Sequence, residues 1–191
     1  GTTIDYVQVN NNSDDGMEFY GGSVNVKHAV LTGNQDDSVD WDEGYQGNMQ
    51  YILVKQSAST EGNAIEADTE GSLVFLSIPT IANATFIADG SNDTLMVFKK
   101  TSGGFLHHSV LTSVAVADGG TGTMTTCIDA SASAIVGSEL VFDPYMVADC
   151  TNSGETTLLP VVIPDVMLDA NYASQAAEAS PVPALDIATF N

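Results

Sequence analysis

Two stretches near the start of the chain are copies of one another, and this constrains the fold more than any other feature. Residues 3–22 read TIDYVQVNNNSDDGMEFYGG and residues 25–44 read NVKHAVLTGNQDDSVDWDEG. Slid by 22 positions, Asp14-Asp15 falls on Asp36-Asp37, Met17-Glu18-Phe19 on Val39-Asp40-Trp41, and Gly22 on Gly44. A fixed offset of this size is the signature of a stacked repeat, in which each unit buries its apolar face only against the next.

The units continue beyond the first two. β-rich runs recur at 4–9, 26–31, 49–54, 84–88 and 106–111, each followed by a turn rich in Asn, Asp or Gly. Their third members, Tyr6, His28, Tyr51, Phe86 and His108, are expected to form one column of flat side chains. Within it, His28 and His108 are read as stacked or hydrogen-bonded core residues, and His107 is expected to point outward. A second strand per unit aligns Met17-Glu18-Phe19-Tyr20 with Val39-Asp40-Trp41-Asp42 and Ile65-Glu66-Ala67-Asp68, with 95–98 as a weaker fourth copy. Alternation predicts an inward column (Met17, Val39, Ile65; Phe19, Trp41, Ala67) and an outward acidic one. An antiparallel sandwich also has many short strands, but it does not predict residue-by-residue register between units. The fold class expected is therefore all-β, a right-handed parallel β-helix (solenoid) with coils of about 22 residues and an irregular C-terminal tail. Regular coils are expected over 1–118, with a longer insert at 72–82. Less regular final coils cover 119–168, and a tail or cap covers 169–191. The whole is one continuous domain, read as a fragment of a longer protein.

Charge narrows the partners. The 191 residues hold 25 acidic and 4 basic side chains, a formal net charge of -21. Nucleic acid and anionic membranes select Lys and Arg, so neither is an expected partner. Cations are, and no apolar run long enough to insert in a membrane is present. Hydrophobic residues make up 43%, enough for a continuous core. Cys127 and Cys150 are the only cysteines. A disulfide between them would close a loop of about 23 residues, worth roughly 3 kcal/mol in the chain-entropy model. Two core thiols are the alternative. An extracellular or outer-surface location fits the acidity and the disulfide.

The stretch TIDYVQVNNNSDDGMEFYGGSVNVKHAVLTGNQDDSVDWDEGYQGNMQYILV resembles a group of secreted or lipid-anchored β-helix proteins of marine and other Gram-negative bacteria. The resemblance is specific over residues 3–54 and looser to about 112. It implies a right-handed parallel β-helix of broadly pectate-lyase-like architecture and brings no activity with it.

The acidic column is the only part of the sequence that suggests a ligand. Asp14 and Asp15 stack on Asp36 and Asp37, Glu18 on Asp40 and Glu66, and Asp42 on Asp68. Carboxylates at the inter-strand spacing of about 4.8 Å repel unless a cation lies between them, and Ca²⁺ suits such an all-oxygen set. Asp14, Asp15, Asp36, Asp37, Asp40, Asp42, Glu66 and Asp68 are the candidate ligands, with Asp36, Asp37, Asp40 and Asp42 foremost. The competing reading is a solvated acidic face on a salt-tolerant protein. A lyase of this architecture would use Arg or Lys as base; the chain has only Lys27, Lys55, Lys99 and Lys100. Trp41, Tyr45 and Tyr51 could stack on sugars, although Trp41 aligns with the inward Phe19. The sequence thus favours a non-enzymatic, Ca²⁺-stabilised surface, adhesive or self-assembling module, able to stack end to end. The alternative is a polysaccharide lyase, hydrolase or carbohydrate-binding module.

Overall fold

The computed structural model describes residues 1–69, 75–89, 94–99, 102–113, 126–130, 140–142, 147–148 and 151–154. Among them are fourteen strands. The first eight are β1 (Thr3–Asn10), β2 (Met17–Tyr20), β3 (Asn25–Thr32), β4 (Val39–Asp42), β5 (Asn48–Lys55), β6 (Ile65–Ala67), β7 (Thr80–Ala88) and β8 (Thr94–Phe98). There follow β9 (Gly104–His107), β10 (Val110–Ser113), β11 (Thr126–Ala130), β12 (Leu140–Phe142), β13 (Val147–Ala148) and β14 (Thr151–Gly154). One sheet runs β1-β3-β5-β7-β10-β13, with β9 and β12 attached beside β7; the other runs β14-β11-β8-β6-β4-β2. Every pairing is parallel, and successive coils pair residue on residue: Thr3 with Asn25, Met17 with Val39, Trp41 with Ala67. This is an all-β parallel solenoid. The expected tail and Cys150 lie outside the described residues.

The inward columns of the first three coils form as alternation predicts, whereas in the fourth Met96 rather than Leu95 stands on Ile65, one residue later than the 95–98 copy sets it. Val39, Ile65, Met96 and Ile128 stack in one, Trp41, Ala67, Phe98 and Ala130 in the next, all buried. The facing sheet contributes Val26, Met49, Ile81 and Leu106, then Leu31, Val54, Phe86 and Leu111. Burying side chains of this size is worth about 1.5–3 kcal/mol each. The coils themselves vary in length. Thr80 pairs with Asn48 where Asn25 paired with Thr3, so the coil carrying the 72–82 insert is longer than the first two.

The ring column departs from expectation at one member. Asn83, not Phe86, stands beside Tyr51, because Ala84 pairs with Ile52 and Phe86 with Val54. Phe86 is large and apolar and goes inward. Asn tolerates the left-handed backbone that this position demands. Tyr6, His28, Tyr51, Asn83 and His108 have φ of 52°, 50°, 60°, 53° and 46°. Each such residue adds one position to its strand and resets the alternation, so that Ile4, Val7 and Val9 pack inward and Tyr6 does not. The side chain is thrown clear of the sheet, where rings stack. Tyr6 lies 4.5 Å from His28 at 8°, and His28 lies 5.0 Å from Tyr51 at 11°. His28 is thus stacked but half exposed rather than in the core, and its Nδ1 meets Asp5 Oδ1 at 2.8 Å. His108 is buried. His107, expected outward, is also buried, at 5% exposure. The strand breaks after it into β9 and β10, both paired with β7, and this places His107 beside the buried Ala82.

Candidate functional site

The turns before β2, β4 and β6 build a polar ladder. Asp37 N–H donates to Asp15 Oδ1 at 3.0 Å, Asn63 N–H to Asp37 Oδ1 at 2.5 Å, and Asn63 Nδ2 to Thr94 O at 2.8 Å. Each coil's carboxylate therefore accepts the next coil's backbone donor. Two glycines let the turns approach. A Cβ on Gly16 would sit 2.5 Å from Asn34 Nδ2 and from Ser38 O, and one on Gly62 would sit 2.5 Å from the Asp36 carbonyl carbon. The sequence pointed to Asp15 and Asp37. Asn63 falls on Asp37 by the same 26-residue step that sets Ile65 on Val39, but as a neutral amide it is not marked by the acidic pattern.

Beside this ladder the carboxylates converge. Ligand atoms of Asp14, Asp15 and Asp36 lie within 4.8 Å of one another, and so do those of Asp15, Glu18 and Asp40. Asp15 belongs to both groups. Burial pushes the Asp15 carboxyl up to about 6, with Glu18, Asp36 and Asp14 adding repulsion against the Asp37 N–H bond. Burial first, and neighbouring carboxylates after it, raise Asp37 to about 7 and Asp40 to about 8. Asp40 Oδ1 is sealed from solvent and accepts no hydrogen bond. Tyr20 hydrogen-bonds Glu18, which lifts its phenol to about 12.

The remaining candidates have local work. Asp42 Oδ1 accepts the Glu43 N–H at 2.6 Å, and Asp68 Oδ1 accepts the Thr69 N–H at 2.6 Å. Glu66 is met by the Lys99 ammonium. Burial pulls the lysine's pKa down, but the hydrogen bond and charge of Glu66 outweigh this and leave it raised. Lys99 follows β8 in the column of Asp42 and Asp68, a role the sequence did not reveal. Trp41 is fully buried and offers no sugar platform; Tyr45 is buried too, stacked on Phe19 and donating to Val24 O at 2.7 Å.

The site can hold a hard cation. Asp15, Glu18 and Asp40 would supply anionic oxygens from two adjacent coils, and Asp14 and Asp36 a second set. An open polar cleft of about 390 Å³, lined by Ser13, Gln35, Asp36, Ser59 and Glu61, lies along the same turns. Cys127 is buried, and Cys150 lies outside the described residues.

Comparison with known proteins yields one family. A model described as a pectate-lyase-like β-helix domain matches residues 1–183. No curated protein and no solved structure matches the chain significantly.

Proposed function

The chain belongs to the pectate-lyase-like β-helix domain family, and from that premise we propose that it is a non-enzymatic β-helix module of the cell exterior, stabilised by Ca²⁺ on its acidic face and serving a surface or adhesive role. The observation that carries this reading is Asp40. Its Oδ1 is cut off from water without a donor, while Asp15 and Glu18 bring carboxylate oxygens to within 4.8 Å. A buried carboxylate without a partner costs several kcal/mol, and a divalent cation relieves that cost where a proton otherwise must. The net charge of -21 supports an exterior, cation-rich setting.

Two finer points belong to the same proposal. The coil winds right-handed, as nearly all crossovers between parallel strands of one sheet do. Cys127 and Cys150 are joined; the pairing of Thr126 with Thr151 brings their chain neighbours together. The test of the reading is isothermal titration of the chelated protein with Ca²⁺. Binding to the wild type and its loss in Asp40→Asn are expected, and equal heats in the two would refute it.

A second reading is a polysaccharide-active protein. The family description is compatible with it, and the polar cleft beside Asp36 and Glu61 is where a hydroxyl-rich chain would lie. Release of new reducing ends or unsaturated sugars from any polysaccharide in a panel would favour it over the first.

A further inference from the structure

The two sheets of the solenoid differ in how their outer faces are made. In the sheet of β2, β4 and β6 the outward positions Glu18, Asp40 and Glu66 are charged and alternate with inward residues. In the other sheet the alternation fills in. Val30 stands between the inward Ala29 and Leu31, Leu53 between Ile52 and Val54, and Ile87 between Phe86 and Ala88. These three point away from the core and form an apolar cluster of their own, in which Leu53 is 7% and Ile87 5% exposed. Val110 pairs with Thr85 in the row of Val30 and Leu53, and it is buried as well. Parallel strands that read as continuous apolar runs belong to a sheet covered on both faces. All fourteen described strands lie in the two coil sheets, so none of them supplies that cover.

Composition selects the cover. Residues 155–168, ETTLLPVVIPDVML, carry eight Leu, Val, Ile or Met in fourteen positions. Pro160 and Pro164 have no N–H to give a ladder, so the run suits packing by side chains across a face rather than insertion as a central strand. Charge agrees. From 155 onward the chain has five carboxylates and no Lys or Arg. On the acidic sheet such a segment would meet Glu18, Asp40 and Glu66. On the apolar side Lys55 pairs beside Ile87, and Lys27 alternates with the inward Val26. Two of the chain's four basic side chains therefore lie where an acidic, apolar segment would gain from them. A second copy would instead bring a further formal charge of -21.

We propose that residues 155–168 are a strap laid along the outer face of this sheet, burying their apolar side chains on Val30, Leu53, Ile87 and Val110. Lying across β3, β5, β7 and β10, the strap clamps successive coils from outside, where the core clamps them from within. It is independent of the cation site, whose carboxylates come from the other sheet and its turns.

The test uses the full chain, mixed with an isotopically heavy copy. A benzophenone amino acid replaces Thr85 in one preparation and Val30 in another, both half-buried positions in the apolar row. After irradiation and digestion, mass spectrometry should find links from both positions to peptides of 155–168, within one chain. Links to any other segment, links between light and heavy chains, or no link at all overturn the proposal. A second measurement needs no probe. The double substitution Val162→Asp with Ile163→Asp should keep the strand signal in circular dichroism, lower the melting temperature and raise the binding of a dye for exposed apolar surface several-fold. Unchanged dye binding, or loss of the strand signal, overturns it equally.

Discussion

The acidic column meets two different ends. At Glu66 a lysine of the next coil, Lys99, supplies the positive charge. At Asp15, Glu18 and Asp40 the charged neighbours are other carboxylates, and the pKa values of Asp15 and Asp40 rise to about 6 and about 8, chiefly through burial. The backbone is the same in both places: parallel pairing, an inward apolar column and an outward polar one. The difference teaches that a solenoid does not dictate how stacked charge is relieved. One substitution in the column, Lys for Asp, builds the counter-ion into the chain, whereas the earlier coils leave that role to the solvent's cations or protons.

The largest expected effect tests whether the two ends share a core. Trp41→Ala removes the buried ring beneath both stretches of the column and should cost about 3–5 kcal/mol in urea denaturation. Because Trp41 faces away from the carboxylates, Ca²⁺ should still raise the midpoint of that variant. Next is Lys99→Met, which makes the later end resemble the earlier one. The ion pair is partly exposed, so the loss without divalent cations should be only about 1 kcal/mol, and Ca²⁺ should recover part of it. The converse change is Asp42→Lys, which sets an ammonium one coil beyond Glu18, as Lys99 stands one coil beyond Glu66. It forfeits the hydrogen bond to the Glu43 N–H, so stability in chelator should change by no more than about 1 kcal/mol. The increment from Ca²⁺ should shrink by more than half.

The remaining expected effect is the pH slope. Asp15, Asp37 and Asp40 have folded-state values of about 6, 7 and 8, above the ordinary carboxylate value of about 4. Between those limits the folded state holds protons that the unfolded chain has released, so metal-free stability falls as pH rises through that window and levels off above it. Melting temperatures in chelator should decline from pH 4 to 8, and Asp40→Asn should flatten the upper part of the decline. A rising curve would contradict the assignment.

The sequence made the early coils legible because the same alternation recurs at a step of 22 and then of 26. Met17, Val39 and Ile65, and Phe19, Trp41 and Ala67, could be stacked by counting, and the structure pairs them so. Counting failed where coil length changed. Asn63 keeps the 26-residue step of Ile65 from Val39 but is not acidic, so the Asp pattern does not mark it, and Lys99 stands in a coil that the 95–98 copy sets one residue early. The same change of length sets Asn83, rather than the expected Phe86, beside Tyr51. The left-handed column adds a second obstacle. It shifts the alternation by one residue in each long strand, so a residue's side of the sheet cannot be read by parity alone, and His107, outward by parity, is buried.

The most direct test of the central contrast is thermal melting at pH 8 of the wild type and Asp40→Asn, each with excess Ca²⁺ and with chelator. At a Ca²⁺ concentration 100-fold above its dissociation constant the wild type should gain about 2.7 kcal/mol, seen as a rise of several degrees. Asp40→Asn should melt at nearly the same temperature in both conditions. A wild-type melting temperature that chelator leaves unchanged would contradict the account.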